Sequence, residues 1–514
     1  MGFYQNKQDS QPVAEAVFVK KFEFEKPSNL IGFPCASKRF AKSPRPCFFT
    51  RVQSPQTAIL GAGITGLCAA HSLSESGQRC HVFESGSNIG GALQSTRDGD
   101  WLAEHGPNSL LVKDRRISEL FDQIGLGTDS IGNEQITALP EAHKRYIVHE
   151  GRLVALPSHP FGLLRSPLLS LGGKLRLLLE PLLPRYSGDD EESFGDFIRR
   201  RLGKGILHSA AGPFVSGIYA GDPDKLSVRH AFPRLWQVEN DHRSLLLGAI
   251  AARSANKHSP NSTVIPQMVS FRSGMAALPQ AIADHLPDGT LHLKTRVTAI
   301  RPLQDGWELS WADASGHTYT AEYARLVIAV PHHRLHELPL PAKILSELAP
   351  VTEIEAPPVS SLVLGFRRED IEHQLDGFGM LIKEDENSPL LGVLFSSSMF
   401  EGRAPEDHVT LTCMMGGSLH PDRAENSEEV VLGELDRLLG VHGEPVFKHR
   451  ITWDKAIPQY GLDYQNALEA LEACENSHVG LYFAGNYRGG ISVPDCILNG
   501  LSLGKRLATN NPAE

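Results

Sequence analysis

The chain has 514 residues, 41% of them hydrophobic, and a formal net charge of −10, with 60 acidic residues against 50 basic ones. At roughly 150 residues per domain this implies about three globular units and argues against a nucleic-acid footprint. No run of about 18 apolar residues spans a bilayer, and seven cysteines without CxxC or His-rich spacing suit a reducing compartment and offer no metal site.

Residues 36–56 carry several bases and no acid, as transit peptides do, whereas the stretch before them holds Asp9, Glu15, Glu23 and Glu25 and no apolar signal core. Residues 1–56 therefore read as a disordered or targeting extension. A short apolar strand then begins at Thr57 and runs into Gly61, Ala62, Gly63, Ile64, Thr65 and Gly66. Glycines in this spacing make a tight turn, let backbone approach a pyrophosphate, and seat a helix on a strand, with the phosphates at the positive helix end. The context agrees, because Leu67–Ser76 patterns as a helix, Gly77 can end it, and Cys80–Glu84 reads as the next strand. Glu84 lies 18 residues beyond Gly66, where a carboxylate accepts both ribose hydroxyls and repels a 2′-phosphate. A second glycine pair, Gly90 and Gly91, follows at once, and two glycine turns around one pyrophosphate indicate FAD.

Between Leu153 and Tyr186, leucines crowd around Arg165, Lys174, Arg176 and Arg185. This is either interfacial chemistry, with apolar side chains entering a membrane and bases meeting head groups, or a helical subdomain with its leucines turned inward. Further on, Phe194–Leu202 and Leu207–Ser216 pattern as helices, and Leu291–Ile300, Trp307–Trp311 and Leu326–Val330 as strands. Val359–Phe366, Gly392–Ser397 and Val409–Met415 are strands of mixed polarity, which predicts an antiparallel sheet separate from the nucleotide-binding one. A strand at Leu481, Gly485 and a closing helix from Pro494 would aim a second helix N-terminus at the cofactor. Cys68, Cys80, Cys413 and Cys496 sit in apolar surroundings and read as core thiols.

Several blocks resemble one family, the oxygen-dependent protoporphyrinogen oxidases, flavoenzymes of late haem synthesis within the amine-oxidase-like superfamily. They are Glu104–Ser109, Lys144–Ile147, Pro213–Ser227, Leu375–Gly379, Leu391–Pro405 and Gly485–Val493, and the resemblance covers nearly all of residues 57–510. Two departures stand out: Asn88 and Ala92 where the second glycine signature usually carries Arg, and Asn486 where wider relatives often have an acid.

The resemblance implies a mixed α/β (α+β) fold. Its parts would be a discontinuous Rossmann-like FAD-binding domain (57–139, 260–333 and 450–511), a helical membrane-associating domain (140–259) and an antiparallel-sheet substrate domain (334–449). FAD would be held by Gly61 to Gly66, Glu84, Ser85, Gly90, Gly91, Gly106, Pro107, Asn108, Ser109, Val297, Trp453, Asn486, Ile491, Ser492 and Val493. Arg145 matches the arginine that pairs with a porphyrinogen propionate; Val359, Leu375 and Phe395 match residues that sandwich the tetrapyrrole, with Asn108 and Gly217 lining the same cavity. By periodicity alone the apolar positions would be plain core, and Arg145 a solvated charge.

The expected chemistry is oxidation of a porphyrinogen, protoporphyrinogen IX first, with hydride passing to FAD and molecular oxygen reoxidising the flavin to give hydrogen peroxide. No acid–base triad is expected. Coproporphyrinogen III is the nearest alternative, an amine oxidase the next, and a non-enzymatic binding protein on the same scaffold the most distant. The expected location is cytoplasmic and peripheral to a membrane, or mitochondrial or plastid if the extension is a transit peptide. A homodimer is neither required nor excluded.

Overall fold

β1 (Thr57–Leu60) has all four residues buried because it is the middle of a five-stranded sheet covered on both faces. α1 (Ile64–Glu75) follows it and β2 (Cys80–Phe83) returns beside it. Across the sheet the order is Leu291–His292, β2, β1, Arg325–Ile328 and Leu481–Phe483, every pair parallel. The chain winds first to one side of β1 and later to the other, so its C-terminal edge is a topological switch point, where such sheets bind ligands. The computed structural model describes residues 56–128, 134–157, 162, 166–188, 190–258, 265–313 and 315–509, with no side chains over 252–258. Apart from Gln56, the expected N-terminal extension lies outside the described residues.

The predicted strand Leu291–Ile300 is in fact two strands. Lys294 adopts a left-handed φ of 51°, which breaks the run after Leu291–His292. Arg296–Leu303 then joins Gly306–Ala312 and Thr318–Tyr323 in a separate antiparallel sheet.

The mixed-polarity strands build a seven-stranded sheet in the order Phe447–Trp453, Val359–Arg367, His408–Gly416, Gly392–Phe395, Gly379–Ile382, Arg145–His149 and Arg152–Ala155. All its pairs are antiparallel except Gly379–Ile382 with Arg145–His149. One face is covered by helix Glu428–Leu439, whose Val431, Leu435 and Leu439 pack on Leu362, Leu364, Phe366 and Leu411. The segment expected to be helical from residue 140 instead runs from a 3-10 turn, Pro140–His143, into a hairpin of this sheet, and Leu171–Leu178 is an α-helix after it. The predicted helix Leu207–Ser216 is a π-helical turn, Leu207–Ala211, running into Gly212–Tyr219. Cys68, Cys80, Cys413 and Cys496 are buried free thiols. Among the described residues no helix is long and apolar enough to cross a membrane.

The last helix, Val493–Thr509, lies against α1 at backbone distance. A Cβ at Gly500 would fall 2.4 Å from the Thr65 carbonyl oxygen, and one at Gly504 2.5 Å from that of Ala69. The Gly500→Ala change should therefore force the helices apart and cost about 1–3 kcal/mol, read as a lower Tm. An unchanged Tm would mean that the contact is dispensable.

Candidate flavin and substrate site

The turn after β1 is closed on two sides and open on the third. Gly61, with φ 104°, would place a Cβ 2.9 Å from the Ala329 carbonyl oxygen, and Gly66 would place one 2.2 Å from the carbonyl oxygen of Gly61. Gly63 caps α1 with extended backbone, and a Cβ there would meet nothing within 4 Å. That open space above a helix N-terminus fits a pyrophosphate. The second glycine turn stacks on the first: the Gly90 N–H donates to the Ala62 carbonyl at 2.7 Å, and Gly63 and Gly90 form an isolated parallel bridge. Glu84, at the end of β2, accepts from the N–H of Ala62 at 3.0 Å and of Gly86 at 2.7 Å. Its carboxylate is thereby fixed at the lip of the turn, half-buried, while Ser85 is exposed.

Three other segments reach this region. In the loop Gly106–Ser109, the Asn108 carbonyl accepts from Ser270 Oγ at 3.1 Å, and its side chain donates to the Gly106 carbonyl at 3.2 Å. Ser109 Oγ lies 3.2 Å from Met268 Sδ. The Trp453 indole donates to the His105 carbonyl at 2.8 Å, tying the seven-stranded sheet to the residue before that loop. The returning turn Gly485–Ser492 is pinned by Arg488, paired with Glu475 at 2.6 Å, and by the Tyr460 hydroxyl, which donates to the Asn486 carbonyl at 2.7 Å. Ile491 and Ser492 lead into the terminal helix, which starts at Val493 and meets the first turn of α1 at Gly500. Val297 sits at a bulge opposite Trp311, on the antiparallel sheet.

The residues expected to wall the substrate divide in two along the pleat. Successive residues of a strand face opposite sides. Tyr146, Met380, Val393 and Phe395 are packed under helix Glu428–Leu439, so their neighbours Arg145, Leu381 and Leu394 face the other side. There Gly217 approaches: a Cβ on it would fall 2.3 Å from Leu381 Cδ2. Asn108 reaches the same side, 3.5 Å from Ser396 Oγ. Val359 pairs in register with Trp453 and lies on the face opposite Leu362 and Leu364. The structure thus brings Arg145, Asn108, Gly217 and Val359 to one side of the sheet.

Leu375 and Phe395 are placed differently. They are 2% and 0% exposed and belong to the apolar core on the far face, so they do not join the other four. Leu375 sits at φ 53° in a turn whose next residue, Asp376, accepts from Lys144 and from the Tyr146 hydroxyl. In their stead Leu381 faces Gly217 and Phe378 lies under Arg145, while Leu394 on the same side packs with Phe378 on Ile136, Ala142, Met399 and Phe400; Leu381, Leu394 and Phe378 are all half-buried. Strand alternation was the available signal, but which parity faces the site depends on the neighbouring strands.

Arg145 is exposed and stands over the Phe378 ring, 5.0 Å from its centroid, a cation–π contact. Among the described residues it makes no ion pair with a carboxylate. Its neighbour Lys144 is already held by Asp376, whose carboxyl that lysine keeps below its ordinary value.

A parallel sheet with paired glycine turns at its switch point defines an FAD-binding oxidoreductase. The family described as "Flavin containing amine oxidoreductase" matches residues 64–503, and the chain belongs to it; its cofactor is FAD. Protoporphyrinogen oxidase, mitochondrial, of Nicotiana tabacum is 33% identical over 476 residues, covering 87% of this chain and 93% of the relative. Coproporphyrinogen III oxidase of Bacillus subtilis (strain 168) is 26% identical over 461 residues, covering 86% and 95%. A solved structure from Exiguobacterium sp. 255-15, assigned as a protoporphyrinogen oxidase, superposes with a TM-score of 0.71 at 22% identity, over 89% of this chain and 99% of that one. The last similarity is one of fold.

Replacing Glu84 by Ala removes the acceptor at the lip of the turn. FAD should then bind about 10- to 100-fold more weakly, the range for losing a charged hydrogen bond. Flavin retention after dialysis measures it, and undiminished retention would place the ribose elsewhere.

Proposed function

We propose that the protein oxidises protoporphyrinogen IX to protoporphyrin IX in haem synthesis, with molecular oxygen as final acceptor and hydrogen peroxide as product. Bound FAD supplies the two-electron acceptor. The residues proposed to hold it are Gly61–Gly66, Glu84, Gly90 and Gly91, the loop Gly106–Ser109, Trp453 and the turn Asn486–Val493. The chain's remaining task is to seat a flat apolar ring with an anionic edge. Leu381, Leu394 and Phe378 offer the apolar wall on the side where Asn108 and Gly217 meet the sheet.

The observation that carries this reading is Arg145. A guanidinium with its fork free and its plane laid on a ring suits a propionate carboxylate. Lys144 is neutralised by Asp376, so the wall presents one uncommitted cation at this point, which favours a substrate with few carboxylates over coproporphyrinogen III. Arg145→Ala should raise KM for protoporphyrinogen by about 10- to 100-fold, the cost of a lost charge-assisted bond. Flavin content should hold. Equal loss of both would remove Arg145 from the substrate site. The same assay with coproporphyrinogen III, followed by porphyrin fluorescence and peroxide, decides between the two substrates.

We also propose peripheral contact with a membrane. Leu171, Leu175 and Leu178 of helix Leu171–Leu178, and Leu179 and Leu182 just beyond it, are exposed, Leu171 and Leu182 at 85% and 80%. Beneath them Leu177 is buried in the apolar core and the Glu180–Arg201 pair is 0% exposed, so the segment is anchored from within while these five leucines stay outside. Serine at 171, 175 and 182 should reduce co-sedimentation with anionic vesicles by at least about tenfold, since each buried leucine contributes roughly 1.5–3 kcal/mol. Unchanged sedimentation would assign that face another role.

A further inference from the structure

Glu347, Cys474 and His478 meet at the N-terminal ends of the parallel strands, the end opposite Gly61. Cys474 lies in the last turn of helix Tyr464–Ser477 and His478 caps it, so the two share a face at i and i+4. Glu347 closes helix Ala342–Glu347 and comes in from the side. Its Oε2 lies 2.9 Å from His478 Nε2, and one oxygen, sulfur and nitrogen atom from the three side chains lie within 4.8 Å of one another.

We propose that these three residues bind a borderline-soft divalent ion, zinc above all, with water as fourth ligand. A mixed sulfur, nitrogen and oxygen set is what zinc accepts, and three protein ligands leave a vertex open. The charges match: carboxylate and thiolate together balance a dication, with the imidazole neutral. The negative end of a 14-residue helix favours a cation at this position. Access is built in, since Cys474 is 1% exposed while the side chains of His478 and Glu347 are 16% and 29% exposed. Without the ion the same atoms are satisfied by the Glu347–His478 bond and a thiol hydrogen bond to Glu347. Binding replaces these by bonds from Sγ, Nε2 and a carboxylate oxygen to the metal. The thiol proton, and the imidazole proton where present, pass to solvent, and nothing is oxidised or reduced.

The consequence is a staple between the two helices rather than a step in flavin turnover, because the strands' opposite ends carry the nucleotide turns. The test is a Co²⁺ titration of the chelator-treated, flavin-loaded protein, followed in the visible d–d bands beyond the flavin absorption. A single ion per chain with tetrahedral bands, displaced by Zn²⁺, is expected, together with a higher Tm in Zn²⁺. Cys474→Ser should abolish the bands and weaken Co²⁺ binding by more than about tenfold while the flavin absorbance persists. Glu347→Gln, which keeps shape and hydrogen-bonding capacity, serves if the serine variant does not fold. Absence of the bands, or bands unchanged in both variants, overturns the proposal.

Discussion

Two helices touching backbone to backbone determine where the rest of the molecule lies. Gly500 and Gly504 put the terminal helix against Thr65, Cys68 and Ala69 of α1 without side chains between them. Ser72 Oγ adds a bond to the Leu501 carbonyl at 3.1 Å. The contacts Gly500–Thr65 and Gly504–Ala69 make the helices run in the same direction, with the N-terminus of the last helix, Val493, reaching past that of α1, each end carrying unpaired N–H groups and a positive dipole end. Chain segments more than 400 residues apart thereby act as one anion-binding edge, which explains why the nucleotide region cannot be cut out as a contiguous piece of sequence.

A second sheet stands against that edge, and its two faces have different duties. The face under helix Glu428–Leu439 is sealed with Leu362, Leu364, Phe366, Phe395 and Leu411. The other is left half-open at Leu381, Leu394 and Phe378, with Arg145 at its margin. Burial of the first face contributes the packing energy that holds the second in shape, since each sealed aliphatic side chain is worth roughly 1.5–3 kcal/mol. Beside the second sheet runs a polar seam: Arg403, 2% exposed, donates to Ser270 Oγ at 2.6 Å, and Ser270 donates to the Asn108 carbonyl. Burial pushes the Glu104 carboxyl up despite Arg403 at 3.8 Å, so the pair is costly rather than stabilising. What it secures is position, because Arg403 also accepts from Leu102 N–H and Thr410 Oγ1 through its carbonyl and so ties the hairpin of Ser95–Asp98 and Trp101–Glu104 to strand His408–Gly416.

The nucleotide turn was legible because its geometry is local: strand, glycines, helix and acid follow within 28 residues from Thr57 to Glu84. The mixed-polarity strands were legible as well, by alternation. Register against other strands was not. Leu375 and Phe395 carry a family-like motif, yet the side of Phe395 is set by pairing with Leu411 on another strand, and that of Leu375 by a left-handed turn that no strand alternation marks. The break at Lys294 was hidden for a similar reason, since nothing in a lysine marks a left-handed residue. The pairing of Cys474 with His478 reads as ordinary helix sequence until Glu347 from another helix stands beside it.

The leucine-rich segment turns on the same question of what lies opposite. A buried Glu180–Arg201 pair gains little for folding by itself, because removing both charges from water offsets most of their attraction. Its effect is geometric: Glu180, in the turn after the helix, also accepts from the Ser244 hydroxyl and from Leu245 N–H, which anchors the segment with Leu177 inward and its other leucines outward. Leu177, Phe197, Leu207 and Val215 then belong to one continuous core, so this outward face and helix Gly212–Tyr219, which carries Gly217, are a single packed block. The outward set of these leucines and the seat of Gly217 against Leu381 therefore rest on the same packing, so a change that loosens the core around Leu177 and Val215 would disturb both.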